Sequence, residues 1–195
     1  IQKKTSPLLD PLDLLYPLDP LRMQAFIFDF DGVIVDSQKY WDSHTMEMFQ
    51  NLVPSWTKED NLKPRGLSVA DSYELLKNEY GFTGKKEDFL KYWDEFALEM
   101  YHQKAQLIDG IQHLLDRLHQ LQIPVGIATA SRSMWLHSTL DLHGIRHRFM
   151  ATSSSDDVTQ SKPHPEVYLR TASALSVDPT ACVALEDSTQ GLTSA

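Results

Sequence analysis

Two carboxylates stand two residues apart in FIFDFDGVIVDS, Phe26 to Ser37, where an apolar run leads straight into Asp29 and Asp31 and then Gly32. Like charges that close repel, so a buried-looking strand ending in them needs something to offset the cost. A second pair, Glu186 and Asp187, ends the apolar run ACVAL. Four carboxylates brought together suit a hard cation, and Mg²⁺ is the natural choice because it takes carboxylate, water and phosphate oxygens. Lys162 lies in SKPHPEVY, where Pro163 restricts it to extended backbone. A lysine fixed near the cluster would offset the carboxylates and hold an anionic oxygen. Thr129, Ala130 and Ser131 follow another apolar run and precede a helical pattern. A hydroxyl and free backbone N–H groups at such a junction form an anion site. His143 and His147 straddle Gly144 without the glutamate of a zincin motif, so they do not suggest zinc.

These residues need elements that bring them together. Ala25–Phe28, Ile123–Ala128, Phe149–Ala151 and Ala181–Leu185 read as strands. A helical pattern precedes each of the last three, first with Ile111, Leu114, Leu115, Leu118 and Leu121 on one face, then roughly Ser133 to Leu142, then a helix opened by His164-Pro165. Strands alternating with helices imply an α/β fold with a parallel sheet. In such sheets ligands bind beyond the carboxyl ends of the strands. Asp29/Asp31, Thr129/Ser131 and Glu186/Asp187 all fall at those ends.

Between the first and second strands, residues 38–106 show no strand alternation. Ser68, with Asp71 three residues on, caps a helix whose face is Val69, Tyr73, Leu76 and Tyr80 and which Gly81 closes. Phe89, Tyr92, Trp93, Phe96 and Met100 form the face of another. The organisation expected is a core of 23–37 plus 107–195, with a helical insertion at 38–106. Residues 1–22 are rich in Pro, Asp and Leu without a clean period; they read as a tail or a segment foreign to the chain, with a docked extension as the alternative. The stop at GLTSA, where another helix should begin, suggests a shortened C-terminus.

Formal net charge is −9, which disfavours non-specific binding to nucleic acid or to an anionic membrane. No run approaches about 20 apolar residues. The one cysteine, Cys182, sits among apolar neighbours and reads as a buried strand residue, and the lack of a disulfide fits a reducing compartment.

Taken in order, FDFDGVIVDS, IATAS, SKPHPEVY and VALEDS resemble the four motifs of the haloacid dehalogenase-like phosphohydrolases. The resemblance runs from about Met23 to the end of the chain, and DSQKYWD, SKPHPEVYL and VDPTACVALEDS are similar to hexitol phosphatase and 2-deoxyglucose-6-phosphatase types of sugar phosphatase. It implies a Rossmann-like core with a small helical cap. It implies Asp29 as nucleophile and Asp31 as acid and base. Thr129, Ala130 and Lys162 become phosphate-binding residues, and Asp29, Asp31, Glu186 and Asp187 ligands of Mg²⁺. Trp41, Arg65, Ser131 and Arg132 are expected around the substrate. Trp41 follows the first motif where some relatives with mutase activity carry histidine, which favours hydrolysis. The expectation is therefore a cytoplasmic, monomeric phosphatase of a small phosphorylated sugar or polyol. The alternatives are a β-phosphoglucomutase-like mutase, a phosphatase of another small molecule such as phosphoglycolate, and an inactive shortened chain.

Overall fold

A computed structural model describes residues 23–195, so the reading of 1–22 as a tail lies outside the described residues. Four short strands make one parallel sheet: β1 (Ala25–Phe28), β2 (Val125–Ala128), β3 (Ala151–Ser153) and β4 (Cys182–Leu185), in the order β3-β2-β1-β4. Every residue of β1 and β2 is buried, as expected of strands covered on both faces. Phe26 pairs with Val125 on one side and Val183 on the other, so β1 lies between β2 and β4.

Alternation along β1 divides the core. Phe26 and Phe28 pack on one face with Leu115 and Leu118 of α4 (Ile111–Gln120) and Leu136 and Leu140 of α5 (Ser133–Leu142). Ala25 and Ile27 face α6 (Glu166–Ala174) through Val167, Tyr168 and Ala172. A last short helix, α7 (Thr189–Ser194), follows β4.

The third strand lies two residues later than its apolar residues suggest. Phe149 is buried but only leads in, and Met150 is 71% exposed. The paired residues are Ala151, Thr152 and Ser153, opposite Gly126, Ile127 and Ala128. Polar side chains are tolerated there because the strand is running out towards its functional end. Cys182 also departs from expectation: it opens β4, an edge strand, and is only half-buried.

Residues 38–106 form no strand and hold three α-helices, α1 (Gln38–Leu52), α2 (Val69–Tyr80) and α3 (Lys86–Gln103). Asp71 N–H donates to Ser68 Oγ at the start of α2, and Gly81 closes it at a φ of 69°. On α3, Phe89, Trp93 and Met100 are buried, while Tyr92 turns outward and its hydroxyl meets His44 Nε2 at 2.8 Å. The chain leaves and re-enters the sheet region through adjacent segments. Asp36 N–H donates to Gln106 O at 2.8 Å and Ile108 N–H to Ile34 O at 2.9 Å. The apolar cluster is continuous across that junction, from Phe28 and Phe30 through Tyr101 to Trp93 and Phe49. Among the described residues, no helix is long and apolar enough to cross a membrane.

Candidate active site

The apolar run of β1 ends at Asp29, and the chain turns at once. Gly32 N–H donates to Val35 O, and the N–H groups of Ile34 and Val35 both donate to Phe30 O. This tight turn aims Asp29 and Asp31 into an open cavity between the sheet edge and helices α1 to α3. Gly32 makes it with a φ of 75°, and a Cβ at that position would sit 2.1 Å from Asp187 Oδ2. Gly32→Ala is therefore expected to cost about 1–2 kcal/mol through its backbone alone. It should also displace Asp187 and reduce turnover more than tenfold. Thermal denaturation and the turnover rate read the two effects; an unchanged midpoint and rate would mean that the two groups are not in contact.

Behind Asp29 lies Lys162, 2% exposed. Its Nζ is 2.9 Å from Asp29 Oδ1 and also pairs with Glu186 Oε1. The contact with Asp29 lacks hydrogen-bond alignment, so Oδ1 is buried without a hydrogen-bond partner. Burial pushes the Asp29 carboxyl up to about 7 despite Lys162, with Glu186 and Asp31 adding to the rise. Burial likewise raises Asp187, reinforced by Glu186 and Asp31. Burial opposes the charge on Lys162, but Asp29 and Glu186 outweigh it and hold the ammonium above its usual value.

Glu186 is held from all sides. Oε1 accepts from Lys162 and from the Tyr168 hydroxyl at 2.8 Å; Oε2 accepts from the Asp187 and Ser188 N–H groups and from Ser188 Oγ. Gly191 leaves it room, since a Cβ there would fall 1.9 Å from Glu186 Cδ.

Asp31 has a different cage. Oδ1 accepts from Ser37 Oγ at 2.5 Å, Tyr101 OH at 2.7 Å and Trp41 Nε1 at 3.0 Å, while Oδ2 accepts from Ser131 Oγ at 2.5 Å. Lys162, expected from the sequence to offset both carboxylates, touches only Asp29 and Glu186; hydroxyls and an indole accommodate Asp31. Sequence reading missed Ser37, Tyr101, Tyr168 and Ser188, whose partners lie as far as 70 residues away.

Thr129 is buried just past β2, and its Oγ1 accepts from Ser131 N–H at 3.0 Å. Thr129, Ala130, Ser131, Trp41, Arg65 and Asp187 all line the cavity with Asp29 and Asp31. Arg132 does not. Expected near the substrate, it instead bridges Asp94 of α3 at 2.6 Å and Asp156 at 3.3 Å, tying the insertion to the core. Trp93 also lines the cavity, and its buried ring N–H has no partner.

Whether a metal fits can be judged from the donors. Asp29, Glu186 and Asp187 each offer a carboxylate oxygen, all within 4.8 Å of one another. The set is all oxygen, and burial and crowding push two of the carboxyls upwards. These features fit a hard divalent cation.

Known proteins resemble this chain over most of its length. Residues 26–195 match the family described as haloacid dehalogenase-like hydrolase. Hexitol phosphatase B of Escherichia coli (strain K12) is 30% identical over 175 residues, covering 89% of this chain and 79% of that protein. The β-phosphoglucomutase of Bacillus subtilis (strain 168) is 28% identical over 183 residues, covering 87% and 77%. The crystal structure of β-phosphoglucomutase from Clostridium difficile superposes with a TM-score of 0.73 at 25% identity, covering 88% of this chain and 79% of that one. With a match that spans the sheet and every motif at its edge, the chain belongs to the haloacid dehalogenase-like hydrolases.

Proposed function

We propose that this protein is a divalent-metal-dependent phosphatase of small sugar or polyol phosphates, working through a phosphorylated Asp29. The observation that carries the reading is the convergence of Asp29 and Asp31 after β1, Thr129 after β2 and Asp187 after β4 on one cavity. The likeness to hexitol phosphatase B supports the substrate class.

Asp29 attacks phosphorus through the oxygen that Lys162 does not hold. As the ester bond breaks, Asp31 gives a proton to the departing sugar oxygen. Water then attacks the phosphorus of the acyl phosphate, Asp31 takes its proton, and phosphate leaves with Asp29 restored. The cage of Ser37, Trp41, Tyr101 and Ser131 keeps Asp31 in one orientation for both transfers. Thr129 accepts the Ser131 N–H on its Oγ1, so its own hydroxyl proton is free to point at a phosphoryl oxygen beside the Ala130 N–H. Lys162 neutralises Asp29 and Glu186 while the anion enters. Asp29, Glu186 and Asp187, with Asp31 beside them, would hold a divalent cation such as Mg²⁺, which would supply positive charge against the phosphoryl group. Residues 38–106 act as a cap that shields this chemistry from bulk water.

Phosphate release from hexose 6-phosphates, hexitol 6-phosphates and phosphoglycolate, with Mg²⁺ and with chelator, tests the reading. Metal-dependent release from the sugar and polyol esters is expected, with activity lost in chelator and restored by Mg²⁺. Full activity in chelator removes the metal. A folded protein silent on every ester removes the phosphatase, and a phosphosugar isomer formed without free phosphate replaces it with a mutase.

A further inference from the structure

The insertion side of the cavity carries one charge pair that the reaction above leaves unused, Asp42 with Arg65. The wall offers Asp29, Asp31, Asp42 and Asp187 against one cation, Arg65. That cation is already engaged. Arg65 Nε donates to Asp42 Oδ1 at 2.9 Å, and a terminal nitrogen of the same guanidinium donates to Oδ2, a two-pronged pair. Gln38 Nε2 donates to Asp42 Oδ1 at 2.9 Å and steadies the carboxylate from one turn earlier on α1. The nearby cations outside the wall are engaged too: Lys162 by Asp29 and Glu186, Arg132 by Asp94 and Asp156. Among the described residues, no positive charge on the cavity wall is left for a second anion.

We infer that the site accepts phosphate monoesters whose remainder is uncharged and rejects those bearing a second anionic group, and that Asp42 sets this preference by neutralising Arg65. The inference rests on the phosphatase reading and narrows its substrate class. A carboxylate or second phosphate brought to this wall gives up water and meets Asp42 with no free cation in exchange. A hydroxyl donates to Asp42 and accepts from Arg65 and Gln38, so a polyhydroxylated carbon chain satisfies both signs at once. Specificity then comes from a repulsive element as much as from an attractive one.

The test compares kcat/KM for a hexitol 6-phosphate, phosphoglycolate and fructose 1,6-bisphosphate in the wild type, Asp42→Asn and Asp42→Asn/Arg65→Gln. The wild type is expected to prefer the hexitol ester by about 100-fold or more. Asp42→Asn frees the guanidinium charge and narrows that preference by about tenfold or more. The double variant restores it. Equal wild-type rates on neutral and anionic esters overturn the inference without any variant, while leaving a phosphatase. An Asp42→Asn ratio equal to that of the wild type overturns the role of Asp42. If no ester releases phosphate, the phosphatase reading falls and this inference with it.

Discussion

Asp29→Asn leaves a folded protein whose phosphate release falls by on the order of 10⁴-fold or more. An amide oxygen cannot form and then release the acyl phosphate, so the first bond-making step is lost. The fold should survive because the change is nearly isosteric and removes a carboxylate whose charged form burial already disfavours. Lys162 keeps Glu186 as its counter-charge. Steady-state phosphate release and thermal denaturation, run side by side, read the two effects separately. Turnover within tenfold of wild type would take the nucleophile away from Asp29. Loss of folding would make Asp29 a structural residue first.

Lys162→Met is expected to do the opposite and strike the fold as well as the reaction. Its side chain is the cation beneath two carboxylates, and Glu186, whose own side chain is fully buried, is one of them. Removing one partner of a buried ionic group leaves uncompensated charge and costs about 3–5 kcal/mol. A domain of this size has only about 5–15 kcal/mol to lose. Activity falls too, since the phosphate anion would approach a site that has lost its permanent positive charge. Adding Glu186→Gln should recover part of the stability and none of the activity. Urea denaturation decides the matter: a loss under about 1 kcal/mol would mean that the cluster is neutral in the folded protein.

The contrast between these residues explains what the sequence made legible. Asp29, Thr129 and Asp187 were readable because each terminates an apolar run, and a parallel sheet brings such ends together whatever the loops between them do. The caps of α2 were readable because Ser68, Asp71 and Gly81 act within one turn of their partners. Tyr101 and Tyr168 were not. Both lie on helical faces and look like core residues, yet their hydroxyls reach Asp31 and Glu186 across 70 and 18 residues of chain. The pairing of Arg65 with Asp42 and of Arg132 with Asp94 was hidden for the same reason, since charge partners in space leave no spacing in sequence. The third strand departs from its apolar signal because its hydrogen bonding runs on through Thr152 and Ser153.

The position of β1 between β2 and β4 has a consequence for how the protein is made. Its four residues, AFIF, leave the ribosome before either neighbour, and Val125 follows Phe26 by about a hundred residues. At about 5–20 residues per second, β1 waits roughly 5–20 s for its first partner and longer for β4. The helices of 38–103 can form locally within microseconds of their synthesis, but none can offer β1 a ladder of backbone partners. The strand that leads into Asp29 is thus synthesised before both of its partners and enclosed only once β4 has emerged. It spends that interval as an uncharged, aromatic edge on the nascent chain, the kind of segment that chaperones bind.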